Sequence, residues 1–144
     1  MLLAAFMLTG ISCSSGTPVI TIEEQDAKLS PVIVGSGSIF MKIVNSGSGA
    51  DSLVKAQINI PGAVIELHDL QDGKMTTIDR IPIPAKTTVL LRPASYHLMI
   101  FRMPKEVKEG SGVIVTLSFE KHDEIRVPLQ FTTSATNPKR GSYR

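Results

Sequence analysis

Between residues 19 and 131 the chain is cut into short runs rich in Val, Ile and Thr, and turn-forming residues fill nearly every gap between them. The runs 19–24, 38–45, 53–60, 64–70, 74–78, 87–91, 97–103, 112–119 and 124–131 mostly alternate apolar and polar residues, the period of a strand with one buried face. The gaps hold Gly47 and Gly49, Pro61-Gly62, Asp72-Gly73, Pro82-Ile83-Pro84, Arg92-Pro93, and Gly110 with Gly112. Glycine reaches φ > 0 and proline fixes φ, so these positions favour a turn over continued extension. No segment sustains a helical period. Many short strands at this spacing, in 144 residues, predict an all-β fold: an antiparallel Greek-key β-sandwich of the cupredoxin-like or immunoglobulin-like kind.

The ends read differently. Residues 1–11 are almost wholly apolar and give way to Ser12-Cys13-Ser14-Ser15-Gly16. That run is too short to cross a bilayer and has the length of a signal h-region. No positively charged n-region precedes it, as in an atypical signal or a chain whose true start lies upstream. Cys13 is the sole cysteine, which excludes an intrachain disulfide and a thiolate cluster. Two readings of Cys13 stand: the lipidated first residue of a bacterial lipoprotein, with Gly10 in place of the usual Leu, or part of an ordinary signal sequence. The expected organisation is a signal or lipoprotein signal over 1–13, a linker over 14–18, the sandwich over 19–131 and a flexible basic tail over 132–144. The protein is expected to be exported, to the periplasm or the outer face of the cytoplasmic membrane, to act as a monomer, and to carry a membrane tether if Cys13 is acylated.

Charge and motifs exclude several functions. The formal net charge is only +2, no basic stripe is interleaved with aromatics, and the visible cluster, Lys139, Arg140 and Arg144, falls in the last residues, so no nucleic-acid partner is expected. Gly-x-Ser-x-Gly, paired metal-binding histidines on a helix and phosphate loops are all missing, and the chain is not expected to be an enzyme. A blue-copper electron carrier would need a cysteine ligand, and Cys13 lies outside the sandwich.

What stands out is His68, Met75, His97 and Met99, spaced H-x6-M-x21-H-x-M. Two imidazoles and two thioethers suit Cu(I), a soft ion, whereas Zn(II) sites rarely use Met and Mg(II) or Ca(II) want oxygen. His97 and Met99 are two apart on one predicted strand, so they project from the same face about 7 Å apart. If Asp72-Gly73 is a two-residue hairpin turn, Leu70 lies opposite Met75, and His68 becomes a same-face diagonal neighbour of Met75. With three His and six Met in the chain, H-x-M alone would arise by chance about 0.1 times, so it is the joint pattern that carries the assignment. Asp69 is a candidate partner to orient an imidazole. Met41 and Met103 read as packing, Met7 as part of the signal, and His122 as a solvated turn residue.

These residues, with Leu91-Arg92-Pro93-Ala94-Ser95 before Tyr96-His97-Leu98-Met99, resemble the PCu(A)C family of exported copper chaperones. The similarity runs over residues 65–131, through Lys108-Glu109-Gly110 and the strand beginning at Val115, and upstream over 39–53 with Asn45, Gly47 and Asp51. The family's first His-to-Met interval is about four residues longer. Removing two residues from each arm of a hairpin leaves side chains on their original face, so the shortening need not destroy the site. The resemblance implies a Cu(I) metallochaperone using His68, Met75, His97 and Met99, whose acceptor is the copper-accepting subunit of a respiratory oxidase or a Sco-type thiol protein. The alternative is a non-metal β-sandwich of the envelope that acts as a protein-binding or structural module.

Overall fold

A computed structural model describes residues 16–133; the expected signal, Cys13 and residues 134–144 of the expected tail lie outside the described residues. The described chain is all strand and turn. In chain order the strands are β1 (Ile20–Leu29), β2 (Gly37–Asn45), β3 (Asp51–Ile58), β4 (Val64–Gln71), β5 (Lys74–Thr77), β6 (Ile81–Ile83), β7 (Thr87–Leu91), β8 (His97–Phe101), β9 (Gly112–Phe119) and β10 (Ile125–Thr133). They follow the path β5-β4-β8-β2-β1-β10-β9-β3-β6, with β7 also paired to β2. One core unites the two ends of that path: Ile39, Ile43, Leu98 and Ile100 from one, Leu53, Ile81, Val115 and Leu117 from the other. The architecture is the β-sandwich-like one expected, in a mixed sheet. Among the described residues the single parallel join is β1 with β10, where Ala27, Lys28 and Leu29 pair with Phe131, Thr132 and Thr133.

Alternation decides which side chains enter the core. Along β2 every second residue from Gly37 is buried, and on β8 Leu98 and Ile100 are fully buried. The polar residues that do enter are anchored. Asn45 Oδ1 accepts from the backbone N–H of Val19 and Gly47, and its amide donates to the Gly49 carbonyl. Asp51 accepts from Lys121 and His122 N–H and so shapes the β9–β10 turn.

Strand ends differ from the sequence expectation at several places, among them 51–58 for the expected 53–60 and 97–101 for the expected 97–103, and three differences bear on pairing. β1 continues beyond residue 24 to Leu29 through a bulge between Glu23 and Asp26, with Glu24 at φ 49°; the extra residue absorbs the break in alternation. Pro82-Ile83-Pro84, read as a turn, contains part of β6, whose Ile81 and Ile83 are fully buried while Pro82 faces out. β6 ends the path beside β3, and an edge strand tolerates proline because its missing N–H is not needed by a further neighbour. Thr132 and Thr133, placed in the tail, belong to β10.

The hairpin between β4 and β5 forms as its turn residues predict. Asp72 and Gly73 both have positive φ, 50° and 73°, the conformation of a type I′ turn that matches the strand twist. Leu70 then pairs with Met75, and His68 with Thr77. A Cβ on Gly73 would meet nothing within 4 Å, so Gly73→Ala should cost only the left-handed backbone, about 1 kcal/mol. A thermal midpoint lower by a few degrees is expected; an unchanged midpoint would mean that the turn is not held in this conformation.

Candidate metal site

β4 and β8 run antiparallel with His68 directly opposite His97 and Glu66 opposite Met99. Since side chains alternate, Glu66 and His68 share a face with His97, Met99 and Phe101, while Leu67, Leu98 and Ile100 turn inward. β2 continues the same face on the far side of β8, with Ser38 opposite Met99. β5 continues it on the near side, with Thr77 opposite His68 and Met75 two residues before.

This is the outer face of the sheet, yet both histidines are buried, His68 at 8% and His97 at 4% exposure. Aromatic neighbours cover them. The imidazoles meet edge to face with centroids 5.6 Å apart, Phe40 packs against His97 at 6.2 Å and Phe101 against His68 at 5.9 Å. The site is thus a row of four rings across three strands. Rings packed this way have little rotational freedom, so the imidazoles are already ordered.

His97 Nδ1 lies 2.8 Å from the Ser95 carbonyl, and a carbonyl only accepts, so Nδ1 carries the proton and Nε2 the lone pair. The tight loop before β8 sets this up. Arg92 N–H donates to Tyr96 O and Ser95 N–H to Arg92 O, with Ala94 at φ 61°. His68 Nε2 lies 2.9 Å from Glu66 Oε2 and 3.3 Å from Thr77 Oγ1. Among the described residues no hydrogen bond reaches His97 Nε2 or His68 Nδ1. Among the described residues no buried side-chain nitrogen or oxygen is left without a partner, so both atoms keep some access to solvent.

The two sulfurs are placed differently. Met99 Sδ accepts from Ser38 Oγ at 3.3 Å and borders a depression lined also by Lys28, Ser30, Pro31, Phe40 and Pro93. Met75 stands at the edge of the sheet, 51% exposed, a diagonal neighbour of His68 at about 7 to 8 Å between Cα atoms. All four candidate ligands, His68, Met75, His97 and Met99, therefore share one face. Three are close-set on adjacent strands, and Met75 must fold inward over β4 to join them. Among the described residues no three His, Cys, Asp or Glu side chains gather where they could hold an ion. The donors beside the two imidazoles include thioethers, which favour a soft ion.

Glu66 is the residue that sequence reasoning missed. Its carboxyl is held below the ordinary carboxylate value chiefly by the hydrogen bond to His68, opposed by partial burial and helped by Thr77, whose hydroxyl donates at 3.1 Å, and by the positive charge of Arg102. Asp69, singled out as an orienting partner, turns to the opposite face and accepts from the N–H of Leu70. The available signal was spacing, since a carboxylate two residues from a strand histidine shares its face and one next to it cannot. Met41 and Met103 are buried in the core, and His122 packs on Phe119 at the β9–β10 turn, on strands outside this site.

Beside the site, the loop between β1 and β2 carries three exposed aliphatic residues, Val32, Ile33 and Val34. Ser30 Oγ accepts from the N–H of Val32 and Ile33, and Met103 N–H donates to Gly35 O. Ile33 and Val34 share a depression with Glu66, Phe101 and Arg102.

The sequence profile of a family described as LpqE-like, putative lipoprotein LpqE-like, matches residues 20–131. No curated protein matches significantly. Among solved structures, the copper-bound PCuAC domain from PmoF2 is similar at a TM-score of 0.65 and 21% identity, over 79% of this chain and 92% of that one. Cu(I)-bound DR1885 from Deinococcus radiodurans is similar at 0.67 and 18%, over 86% and 85%. The apo PCuAC domain from PmoF1 gives 0.65 and 21%, over 79% and 93%. At such identities the likeness is one of fold.

Proposed function

The chain belongs to the LpqE-like family, and we propose that it is an extracytoplasmic metallochaperone of the PCu(A)C type that binds Cu(I) and hands it to a copper-accepting partner. One observation carries this reading. Two ordered imidazoles with open nitrogens stand next to a thioether on one face, in a chain where no set of hard ligands competes among the described residues. The ligands would be His97 through Nε2, His68, Met99 once its sulfur leaves Ser38, and Met75 folding in from the edge strand. Copper is cargo here, not a resident cofactor.

Neutral ligands suit a carrier. Thioethers favour Cu(I), cannot be lost to disulfide formation outside the cytoplasm, and bind less tightly than thiolates, so passage to a thiolate-bearing acceptor is downhill. The acceptor we infer is a respiratory oxidase copper centre or a Sco-type thiol protein. The role is binding and delivery, not catalysis. The lipoprotein description of the family supports export, and Cys13, outside the matched residues, would be the membrane tether if it is acylated.

The test is titration of the purified protein with Cu(I) against a chromogenic Cu(I) chelator. A single Cu(I) should be withdrawn from the chelator at neutral pH, and acidification should weaken binding because protons compete with copper for the imidazole nitrogens. The exposed Val32, Ile33 and Val34 favour the second reading, a non-metal sandwich that binds a protein through this loop. A chain that takes up no copper would leave that reading standing alone.

A further inference from the structure

The two histidines are held by different chemistry, and the difference fixes which atom each offers. Around His68 Nε2 stand Glu66 Oε2 at 2.9 Å and Thr77 Oγ1 at 3.3 Å. A carboxylate only accepts, so a lone pair on Nε2 would face a lone pair on Glu66 across 2.9 Å. The Thr77 hydroxyl is directed to the same carboxylate oxygen at 3.1 Å, which leaves the threonine oxygen as a second acceptor for an N–H. One arrangement satisfies all three groups: Nε2 carries the proton, Thr77 donates to Glu66, and the lone pair of His68 lies on Nδ1. Nδ1 is the ring nitrogen with no partner among the described residues. His97 has the opposite tautomer, its Nδ1–H spent on Ser95 O.

We propose that Glu66 is the positioning residue of this site: it locks the proton of His68 on Nε2, so that the facing histidines hold one ion through unlike atoms, His68 through Nδ1 and His97 through Nε2. A carboxylate on the far nitrogen also makes the imidazole a stronger donor, and loss of such a partner typically lowers metal affinity about 10 to 100-fold. Glu66 adds a negative charge beside a cation that the four neutral ligands do not compensate.

The consequence for affinity rests on the Cu(I) reading, but the tautomer belongs to the ion-free chain and is read without copper. Two-bond proton–nitrogen correlation of the 15N-labelled imidazoles should show His68 protonated on Nε2 and His97 on Nδ1. In Glu66→Ala the His68 signals should move toward a mixture of tautomers, His97 should keep its own, and Cu(I) affinity should fall about 10 to 100-fold. Glu66→Gln retains an acceptor without the charge, so it should preserve the tautomer and lose less affinity than Glu66→Ala. A parent His68 with Nε2 unprotonated would overturn the proposal, as would a Glu66→Ala chain with unchanged His68 signals. Failure of the copper reading shows separately, as no Cu(I) uptake by the parent protein.

Discussion

Met99→Leu and His97→Ala are each expected to weaken Cu(I) binding by about 100-fold or more, since removal of a ligand should cost at least what removal of an orienting partner does. Met99→Leu is the sharper of the two. It exchanges side chains of similar volume at a half-buried position on the outer face, so the fold should lose less than about 1.5 kcal/mol, while the sulfur that selects a soft ion is gone. His97→Ala removes a nitrogen donor and also a ring packed between Phe40 and His68, so a modest drop in thermal midpoint should accompany the loss of copper. Chelator competition at neutral pH measures both variants against the parent. Unchanged affinity in the two together would reject the site, because copper would then be held elsewhere on the chain.

Leu98→Ala should do the reverse. Leu98 sits between the two proposed ligands in sequence but points the other way, fully buried in the core against which β8 packs. Truncating a leucine at such a position costs about 2 to 5 kcal/mol, which for a domain of this size lowers the thermal midpoint on the order of 10 °C. Below that midpoint the remaining folded protein should still withdraw one Cu(I), since His97 and Met99 keep their places on the other face. An affinity that collapses while the midpoint stays put would contradict the assignment of faces. Together the three neighbouring substitutions separate loss of the site from loss of the fold.

Much of this architecture is legible in the amino-acid sequence. The alternation in 38–45 and 112–119 marks strands because each has one face in the core, and Asp72-Gly73 sets the β4–β5 register because few residue pairs adopt that turn. The pairing of Leu70 with Met75 follows from those two residues alone. β6 is not legible in the same way. Its alternation is only Ile81-Pro82-Ile83, and the prolines that signal a turn are admitted there only because β6 lies at an edge, which is a fact about its neighbours. Asp69 reads as the orienting partner in place of Glu66 for a related reason: adjacency in sequence suggests contact, but in a strand it guarantees opposite faces.

The sequence by itself determined the strands other than β6, the shared face of His97 and Met99, the local hairpin that carries His68 and Met75, and the soft donor types on offer. Only the tertiary structure decided that β8 lies between β4 and β2, which sets His68 against His97, Glu66 across from Met99, and Phe40 over an imidazole that would otherwise be exposed. The physical reason is range. Alternation and turn geometry are properties of a few consecutive residues, whereas the register between strands distant along the chain is chosen by how their inner faces, Leu67, Leu98 and Ile39, fill one common core.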